Sequence, residues 1–313
     1  MPSSYNGNNG NNGNNGNNGN NGNAGNATSV TAGWFFPDRI SLPFVTTPDT
    51  APGAPPQPIA VGDLPTIPVP RFPDRNWAPE WRAWLSLADF AATAWASLDP
   101  SGQPGWPGSV PKPSAVPAAG LNWPALTSAA EIHKLVIAAS DERADALGEI
   151  TAQSDEFISW FLNALSARPG AYPKTALVLA IANLVATLPA MHLKELYARP
   201  RPSELCPALL PPIAVPGHAS FPSGHSTQAH LMALCMKEVL HGTLYEATGF
   251  GVLWTLADRI ARNREIAGLH YASDSDAGVA LAYAILPLLQ APLPGGTQSH
   301  YQAAVLAARA EWQ

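Results

Sequence analysis

The chain has 313 residues, of which 46% are hydrophobic and only 13% charged, and its formal net charge is −6. This length can form one large domain or two small ones and is enough to bury a core. The acidic balance and the lack of a basic run argue against nucleic acid as a partner, and against attachment to an anionic membrane through a charged face.

The N-terminal part of the chain has the composition of two non-globular zones. Asn-Asn-Gly repeats fill residues 7–26, so a disordered low-complexity tail is expected over residues 1–30. Prolines then recur through residues 31–124 and predict an extended arm, because proline has no amide donor. One helix near residues 78–98 interrupts the arm. An arm of this kind could also wrap a neighbouring subunit, which keeps a homo-oligomer open as a hypothesis.

Residues 125–313 predict an α-helical domain, and the fold class expected for the chain is all-α. Few alternating or β-branched runs occur, so no sheet is predicted. Ser128 is expected to cap the first helix of this zone, with Glu131 completing a capping box. The apolar spacing predicts further helices over residues 155–167, 175–198, 223–240, 245–267, 275–289 and 300–312.

The sequence predicts a soluble protein, cytoplasmic or otherwise, with no membrane partner. The N-terminus lacks the basic and apolar pattern of a secretory signal. The longest apolar segments, residues 176–191 and 277–289, fall short of the ~20 residues that a spanning helix needs. Two cysteines, Cys206 and Cys235, are too few for a disulfide scaffold and are expected to be reduced.

Three short segments concentrate cations and histidines in a chain that is poor in both. In the first, Lys194 lies in the last turn of an apolar helix and Arg201 follows its end. In the second, Pro222 leads into a helix whose first amides can bind an anion. In the third, the four-residue step from His270 to Asp274 lets the carboxylate hold one imidazole nitrogen.

Three cations in one buried place repel one another unless a multiply charged anion lies between them. The segments therefore predict a site for a tetrahedral oxyanion such as phosphate. Their motifs, in chain order, are Lys194-x6-Arg201-Pro202, Pro222-Ser223-Gly224-His225 and Arg264-x5-His270-x3-Asp274.

This order resembles the three-part signature of the type 2 phosphatidic acid phosphatase and vanadium haloperoxidase superfamily, over residues 194–274. The resemblance implies a helical bundle core of that type. Asn263 departs from the pattern, since the family often has Ser before the arginine. We expect the change to be tolerated, because Asn can also hydrogen-bond an oxyanion.

The resemblance also implies a role for each residue of the motifs. His270 would be the covalent nucleophile of a phosphatase, or the sole protein ligand of vanadium in a haloperoxidase. His225 would be the acid and base, and Asp274 would hold His270 in its tautomer. The oxyanion, phosphate or vanadate, would be bound by Lys194, Arg201, Ser223, Gly224 and Arg264.

Two activities share this geometry, and residues outside the motifs bear on the choice. His218, seven residues before His225, and the run Ser226-Thr227-Gln228 resemble the bromoperoxidases. The main hypothesis is therefore a haloperoxidase that uses vanadate and hydrogen peroxide to oxidise bromide or iodide. His218 would then line the halide side of the pocket, although it could instead cap a loop.

The alternative hypothesis is a soluble phosphomonoesterase, similar to acid phosphatases, that acts on a small phosphoester without a cofactor. The short core after residue 126 favours this alternative. A phosphate-binding module without turnover is a third hypothesis. Arg199 is interpreted as a helix-end charge, and four further histidines as structural or surface residues: His133, His192, His230 and His241.

Overall fold

The computed structural model describes residues 71–73, 77–127 and 129–313. The expected Asn/Gly tail, the first part of the proline-rich arm and the Ser128 cap lie outside the described residues. Within the described ranges the protein is all-α, as the sequence predicts, and the β pairing there is confined to one bridge between Leu293 and Thr297.

The α-helices of the described chain divide into short connecting helices and a set of long core helices. In chain order they are α1 Pro79–Ala91, α2 Trp123–Leu126, α3 Ala129–Asp141, α4 Arg143–Ala152, α5 Ile158–Ala164, α6 Pro173–Tyr197, α7 Pro202–Leu205, α8 Gly224–Leu240, α9 Glu246–Ile266, α10 Ala272–Gln290 and α11 His300–Arg309. Short 3₁₀ turns lie at Trp95–Ser97, Pro100–Gly102, Pro113–Ala115, Pro207–Leu209 and Pro294–Gly296.

Helix α8 is the centre of the bundle. It packs against α6, α9 and α10, while α1 and α11 cover α6, and α3 and α4 pack on α9. Nearly every residue of α8 is buried, including the polar residues of its first two turns. The N-terminus of α8 therefore begins inside the protein, where its first amides are shielded from water.

Helix α6 is the longest helix of the described chain, and both of its ends are fixed by specific contacts. At its start, the Glu311 carboxylate accepts the amides of Lys174 and Thr175, each at 2.8 Å. At its end, Ala198 adopts a left-handed conformation with φ +44°. This residue turns the chain back toward the bundle, so the side chains that follow point inward.

One sequence prediction about the length of a helix and one about the length of an apolar segment are wrong. Helix α1 ends at Ala91 instead of residue 98. The Thr93 hydroxyl donates a hydrogen bond to the Phe90 carbonyl at 2.7 Å and so competes with the next helical bond. The apolar segment that contains Asn183 and Pro189 does not stop at either residue. As a result Pro173–Leu205 is long and apolar enough to cross a membrane, by length and composition alone. Most of it is buried in the bundle, as in the core helix of a soluble protein, so solubility stays a prediction.

Candidate active site

A cavity of about 420 Å³ opens beside the N-terminus of α8. Seven of the predicted site residues line it: Lys194, Arg201, His218, Gly224, His225, Arg264 and His270. Ser223 and Asp274 are fully buried and do not line the cavity. The fold thus brings all three sequence segments to one place, where seven of the predicted residues line the cavity and two are buried next to them in the chain.

His270 is held by a different partner at each ring nitrogen. Its Nδ1 lies 3.2 Å from Asp274 Oδ2, and its Nε2 lies 3.2 Å from Arg201 Nη1. A guanidinium only donates, so Nε2 must accept, and the proton must lie on Nδ1. Burial lowers the pKa of His270 well below its usual value, and the Arg201 charge adds to this effect. His270 is therefore a neutral imidazole whose Nε2 lone pair faces the cavity.

Asp274 is the buried carboxylate that orients His270. Its Oδ2 accepts from His270 and from the Tyr271 amide at 3.1 Å, and the Ser220 hydroxyl also donates to it. Burial raises the pKa of Asp274, but the Arg199 guanidinium and these hydrogen bonds outweigh burial and bring the pKa well below its usual value. The carboxylate is consequently ionised and accepts a hydrogen bond from His270 Nδ1–H.

Arg199 is a site residue that the sequence analysis missed. It is 2% exposed, and its Nη1 donates to Asp274 Oδ1 at 2.6 Å. The interpretation of Arg199 as a helix-end charge is wrong, because the left-handed turn at Ala198 directs it into the bundle. The sequence does show Arg199 as a third cation between Lys194 and Arg201. The direction of its side chain, however, depends on the left-handed turn at Ala198. Ser220 was also missed, although it lies within the segment that leads to His225.

Arg201 connects His270 to His218. Its Nη2 lies 3.0 Å from His218 Nδ1, and its Nε donates to the His218 carbonyl at 3.1 Å. Because Arg201 can only donate, His218 Nδ1 accepts and the ring is neutral. Burial and the Lys194 charge lower the pKa of His218 to about 4. His218 therefore lines the cavity as an uncharged imidazole.

Lys194 binds the turn that precedes α8. Its Nζ donates to the carbonyls of Ala219, Ser220 and Pro222 at 2.9, 2.9 and 2.6 Å. Burial lowers the pKa of Lys194 well below its usual value, and neighbouring Arg201 lowers it further. In this structure the ammonium positions the Ser220–Pro222 turn, and its Cε lies 3.9 Å from the point that a Cβ on Gly224 would occupy.

Arg264 has unused hydrogen-bonding capacity at the cavity. It is 1% exposed, and its Nη2 donates to the Ile150 carbonyl at 2.7 Å. Its Nε is buried and finds no hydrogen-bond partner among the described residues. Burial lowers its pKa to about 10, and only the Asp155 charge opposes this shift. A buried guanidinium with an unsatisfied N–H is a binding group for an anion.

His225 lines the same cavity as His270. Its Nε2 is 3.1 Å from the Gln153 carbonyl, so Nε2 carries the proton in the neutral ring. The ring packs against Phe157 with centroids 5.2 Å apart. Burial lowers the pKa of His225 well below its usual value, and the Arg264 charge lowers it further.

The N-terminus of α8 is packed closely against α10. Ser223 is the N-cap, and its hydroxyl accepts the Ser226 amide at 3.3 Å. A Cβ on Gly278 would lie 2.8 Å from the Ser223 carbonyl and 2.7 Å from Ser226 Cβ. The first-turn amide of Gly224 lies at the cavity, where a helix end has no intrahelical carbonyl for it.

Asn263 does not line the cavity, although we expected that its amide could hydrogen-bond an oxyanion there. Its Nδ2 donates to Glu149 Oε2 at 3.0 Å and to Gln153 Oε1 at 2.8 Å. The residue instead fixes Gln153, whose carbonyl holds His225. Of the other histidines, His230 is buried against Ser226 and Asp258, and the remaining four are exposed: His133, His192, His241 and His300.

The cavity combines cations, an anion-binding helix N-terminus and a neutral imidazole whose Nε2 lone pair accepts from Arg201. Phosphate and vanadate both fit this set, because each is a tetrahedral oxyanion and the buried Arg264 Nε lacks a partner among the described residues. Bound vanadate would be held by His270 with Lys194, Arg201 and Arg264, and would supply a Lewis acid for peroxide.

Comparison with known proteins identifies one matching family. A family model described as PAP2 superfamily matches residues 173–291. Two relatives from Mycobacterium tuberculosis, strains CDC 1551 / Oshkosh and ATCC 25618 / H37Rv, are each described as decaprenylphosphoryl-5-phosphoribose phosphatase. Each is 33% identical over 122 residues, which are 39% of this chain and 63% of the relative's length.

Three contacts to the site come from residues before the matched region. The Gln153 carbonyl holds His225, the Ile150 carbonyl holds Arg264, and Glu131 binds Arg199. Helices α3 and α4 and the segment after α4 thus back the cavity from outside residues 173–291.

Proposed function

Because residues 173–291 of this chain form a PAP2 superfamily domain, we propose that the protein is a phosphomonoesterase that acts through a phosphohistidine at His270. The observation that carries the proposal is the state of His270. The Nδ1–H of His270 donates to Asp274 and Arg201 donates to its Nε2, so a neutral nucleophile lies at a cation-lined cavity. Both relatives are described as phosphatases, which favours this alternative over the haloperoxidase hypothesis. The neutral state of His218 also argues against a cationic halide site.

In the first step, His270 Nε2 attacks phosphorus in line with the ester oxygen. The P–N bond forms, the P–O bond to the alcohol breaks, and a proton from His225 passes to the leaving alkoxide. His225 has a lowered pKa in the free protein. A dianionic ester beside it raises that pKa and favours the protonated imidazole for this step. Arg201, Arg264 and the Gly224 amide bind the phosphoryl oxygens.

In the second step, His225 is neutral and accepts a proton from water. The water oxygen attacks phosphorus, the P–N bond breaks, and inorganic phosphate leaves with His270 Nε2 again unprotonated. His225 ends this step protonated, ready for the next ester. Asp274 keeps the Nδ1 proton of His270 in place throughout and stabilises the positive charge on the ring in the intermediate.

The mouth of the cavity favours a phosphoester whose alcohol has an apolar part. The rim residues Ile213, Ala214, Val215 and Pro216 carry no charge, and Met191 faces them with 41% of its surface exposed. Apolar surface of this kind gains free energy when a hydrocarbon covers it. The relatives' described substrate also joins a sugar phosphate to a decaprenyl group, which agrees with such a rim.

Hydrolysis of p-nitrophenyl phosphate by the purified full chain tests the proposed reaction. We expect turnover that vanadate inhibits, and no turnover by the His270→Ala variant with an unchanged helical circular dichroism spectrum. Bromide oxidation that requires added vanadate and hydrogen peroxide, without ester hydrolysis, would overturn the proposal in favour of the haloperoxidase. A protein that hydrolyses neither p-nitrophenyl phosphate nor a prenyl monophosphate would also overturn the proposal.

The substrate preference is tested by comparing farnesyl phosphate with ribose 5-phosphate. We expect a higher kcat/KM for farnesyl phosphate, and we expect Val215→Asp to raise KM for this substrate more than for p-nitrophenyl phosphate. Leu244→Asp is the matched control, because Leu244 is 99% exposed in the turn at the other end of α8. Equal KM changes in the two variants would contradict the assignment of the rim.

A further inference from the structure

Arg199 bridges two carboxylates from different helices. Its Nη1 donates to Asp274 Oδ1 of α10 at 2.6 Å, and its Nη2 donates to Glu131 Oε2 of α3 at 3.1 Å. The Nη2 group also donates to the Thr127 hydroxyl at 2.9 Å. The guanidinium plane is covered by aromatic rings, with Tyr271 at 3.7 Å from its Cζ. The side chain is therefore fixed in position and orientation.

The two oxygens of Asp274 have separate partners. Oδ1 receives Arg199, whereas Oδ2 receives His270 Nδ1, the Ser220 hydroxyl and the Tyr271 amide. Rotation of the carboxylate would break contacts on both sides at once. Arg199 thus fixes which oxygen faces His270 and also supplies the positive charge nearest to the buried Asp274 anion.

Glu131 extends this arrangement to a helix outside the matched region. Its Oε1 accepts the amide of Ser273 at 3.1 Å and the Ser273 hydroxyl, while its Oε2 accepts Arg199. Ser273 lies in the first turn of α10, next to Asp274. Glu131 therefore holds both Arg199 and the start of the helix that carries Asp274, so α3 is tied directly to the catalytic pair.

We propose that Arg199, braced by Glu131, is a positioning residue that holds Asp274 against His270. The expected effect of Arg199 on kcat rests on the proposed function, whereas its hold on Asp274 does not. Arg199 does not line the cavity, so it acts on the reaction through Asp274 and does not touch the phosphoryl group. Loss of Arg199 should consequently slow the chemical step and leave oxyanion binding intact.

The kinetic test compares Arg199→Met, Arg199→Lys and Glu131→Gln with wild type. For Arg199→Met we expect kcat to fall by about 10- to 100-fold, the range seen when an outer partner of a functional histidine is lost, with KM and the inhibition constant of phosphate unchanged. Arg199→Lys keeps a cation for Asp274 but cannot also reach Glu131, so its kcat should lie between those of wild type and Arg199→Met. Arg309→Met is the control, because Arg309 binds the Glu238 carbonyl at the far end of α8.

A second test does not depend on catalysis. The Nδ1 proton of His270, held by Asp274, should appear in the ¹H NMR spectrum of the free protein as a downfield, slowly exchanging imidazole signal. The signal is assigned by its absence in His270→Gln. We expect it to be lost or shifted in Arg199→Met, kept in Arg199→Lys and unchanged in Arg309→Met.

The two tests separate failure of the positioning role from failure of the proposed function. An unchanged imidazole signal in Arg199→Met would overturn the positioning role, whatever the activity of the protein. A wild type without phosphatase activity, but with the expected change of this signal, would overturn the proposed function alone. Equal losses in kcat and phosphate affinity would also overturn the positioning role, since they would indicate a general distortion of the cavity.

Discussion

Arg201 Nη1 lies 3.2 Å from His270 Nε2 and is thus hydrogen-bonded to the lone pair that attacks phosphorus in the proposed reaction. In the free protein this contact holds His270 in its reactive tautomer and covers its nucleophilic atom. A bound phosphoryl group offers the same guanidinium stronger, charged acceptors. In the proposed reaction, substrate binding would compensate the charge of Arg201 and release Nε2, so that the nucleophile is exposed only when a phosphoryl group is present.

The Asp274→Asn substitution tests the tautomer of His270. An amide can donate to Nδ1, so the proton would move to Nε2 and the lone pair would leave the cavity. We expect kcat to fall by ~10⁴-fold, as when the carboxylate of a catalytic triad is replaced by an amide. Asp258→Asn is the matched control, because Asp258 holds His230 in a similar pair outside the cavity. A fall of less than tenfold in Asp274→Asn would contradict the role of the carboxylate.

The Arg264→Met substitution tests the anion site. The buried Nε of Arg264, which has no partner among the described residues, is expected to bind a phosphoryl oxygen. Its loss should weaken phosphate binding, measured by calorimetry, by ~10- to 100-fold, since a charged hydrogen bond contributes about 1.5–3 kcal/mol. Removal of an unpaired buried charge should at the same time leave the free protein as stable or more stable. Unchanged phosphate affinity would contradict the assignment.

Acid pH should destabilise the fold through its buried histidines. The pKa values of His225 and His270 lie below their usual value, so the unfolded chain takes up protons near pH 6.5 while the folded protein does not. Their contribution to stability is therefore complete above about pH 6.5 and is lost as the pH falls toward their folded pKa values. Urea midpoints at pH 7.5 and pH 5 should show this decrease. The double variant His225→Gln/His270→Gln should show a smaller one, and an equal decrease would contradict the account.

The Gly278→Ala substitution tests the close packing of α10 on the start of α8. The added Cβ would lie within 3 Å of the Ser223 carbonyl and Ser226, and one helix must move. We expect a loss of about 1–3 kcal/mol in the free energy of unfolding, together with lower kcat/KM. Gly251→Ala in α9 is the control, because nothing lies within 4 Å of its Cβ position. That change should be neutral or stabilise the helix, and equal effects of the two substitutions would argue against the packing role.

The sequence was sufficient to predict the fold class and the residues that meet in the cavity. Helix-forming periodicity predicted α6, α8, α9, α10 and α11 within a few residues. The three motifs bring their cations and histidines together because they lie at the end of α6, at the start of α8 and at the turn between α9 and α10, and these helices pack on α8. Motif residues combine fixed spacing with charges that are rare in this chain, so they are visible without a structure.

The supporting residues could not be predicted, because their roles depend on long-range geometry. Arg199 points inward only because Ala198 adopts a left-handed conformation, which an alanine seldom does. The Gln153 carbonyl binds His225 through the backbone, so its side-chain type gives no signal. Asn263 was expected at the ligand, but Glu149 and Gln153, more than 100 positions earlier in the chain, take both of its amide protons.

Isolation of the covalent intermediate tests the central claim most directly. The His225→Gln variant, incubated with p-nitrophenyl phosphate, lacks the base for the second step, while p-nitrophenolate leaves without an acid. After an alkaline quench, peptide mass spectrometry should find one phosphoryl group on His270, at near-stoichiometric level. The same treatment of His225→Gln/His270→Ala should find none. Phosphate on another residue, or burst release of p-nitrophenol without a phosphorylated His270, would contradict the assignment of His270 as the nucleophile.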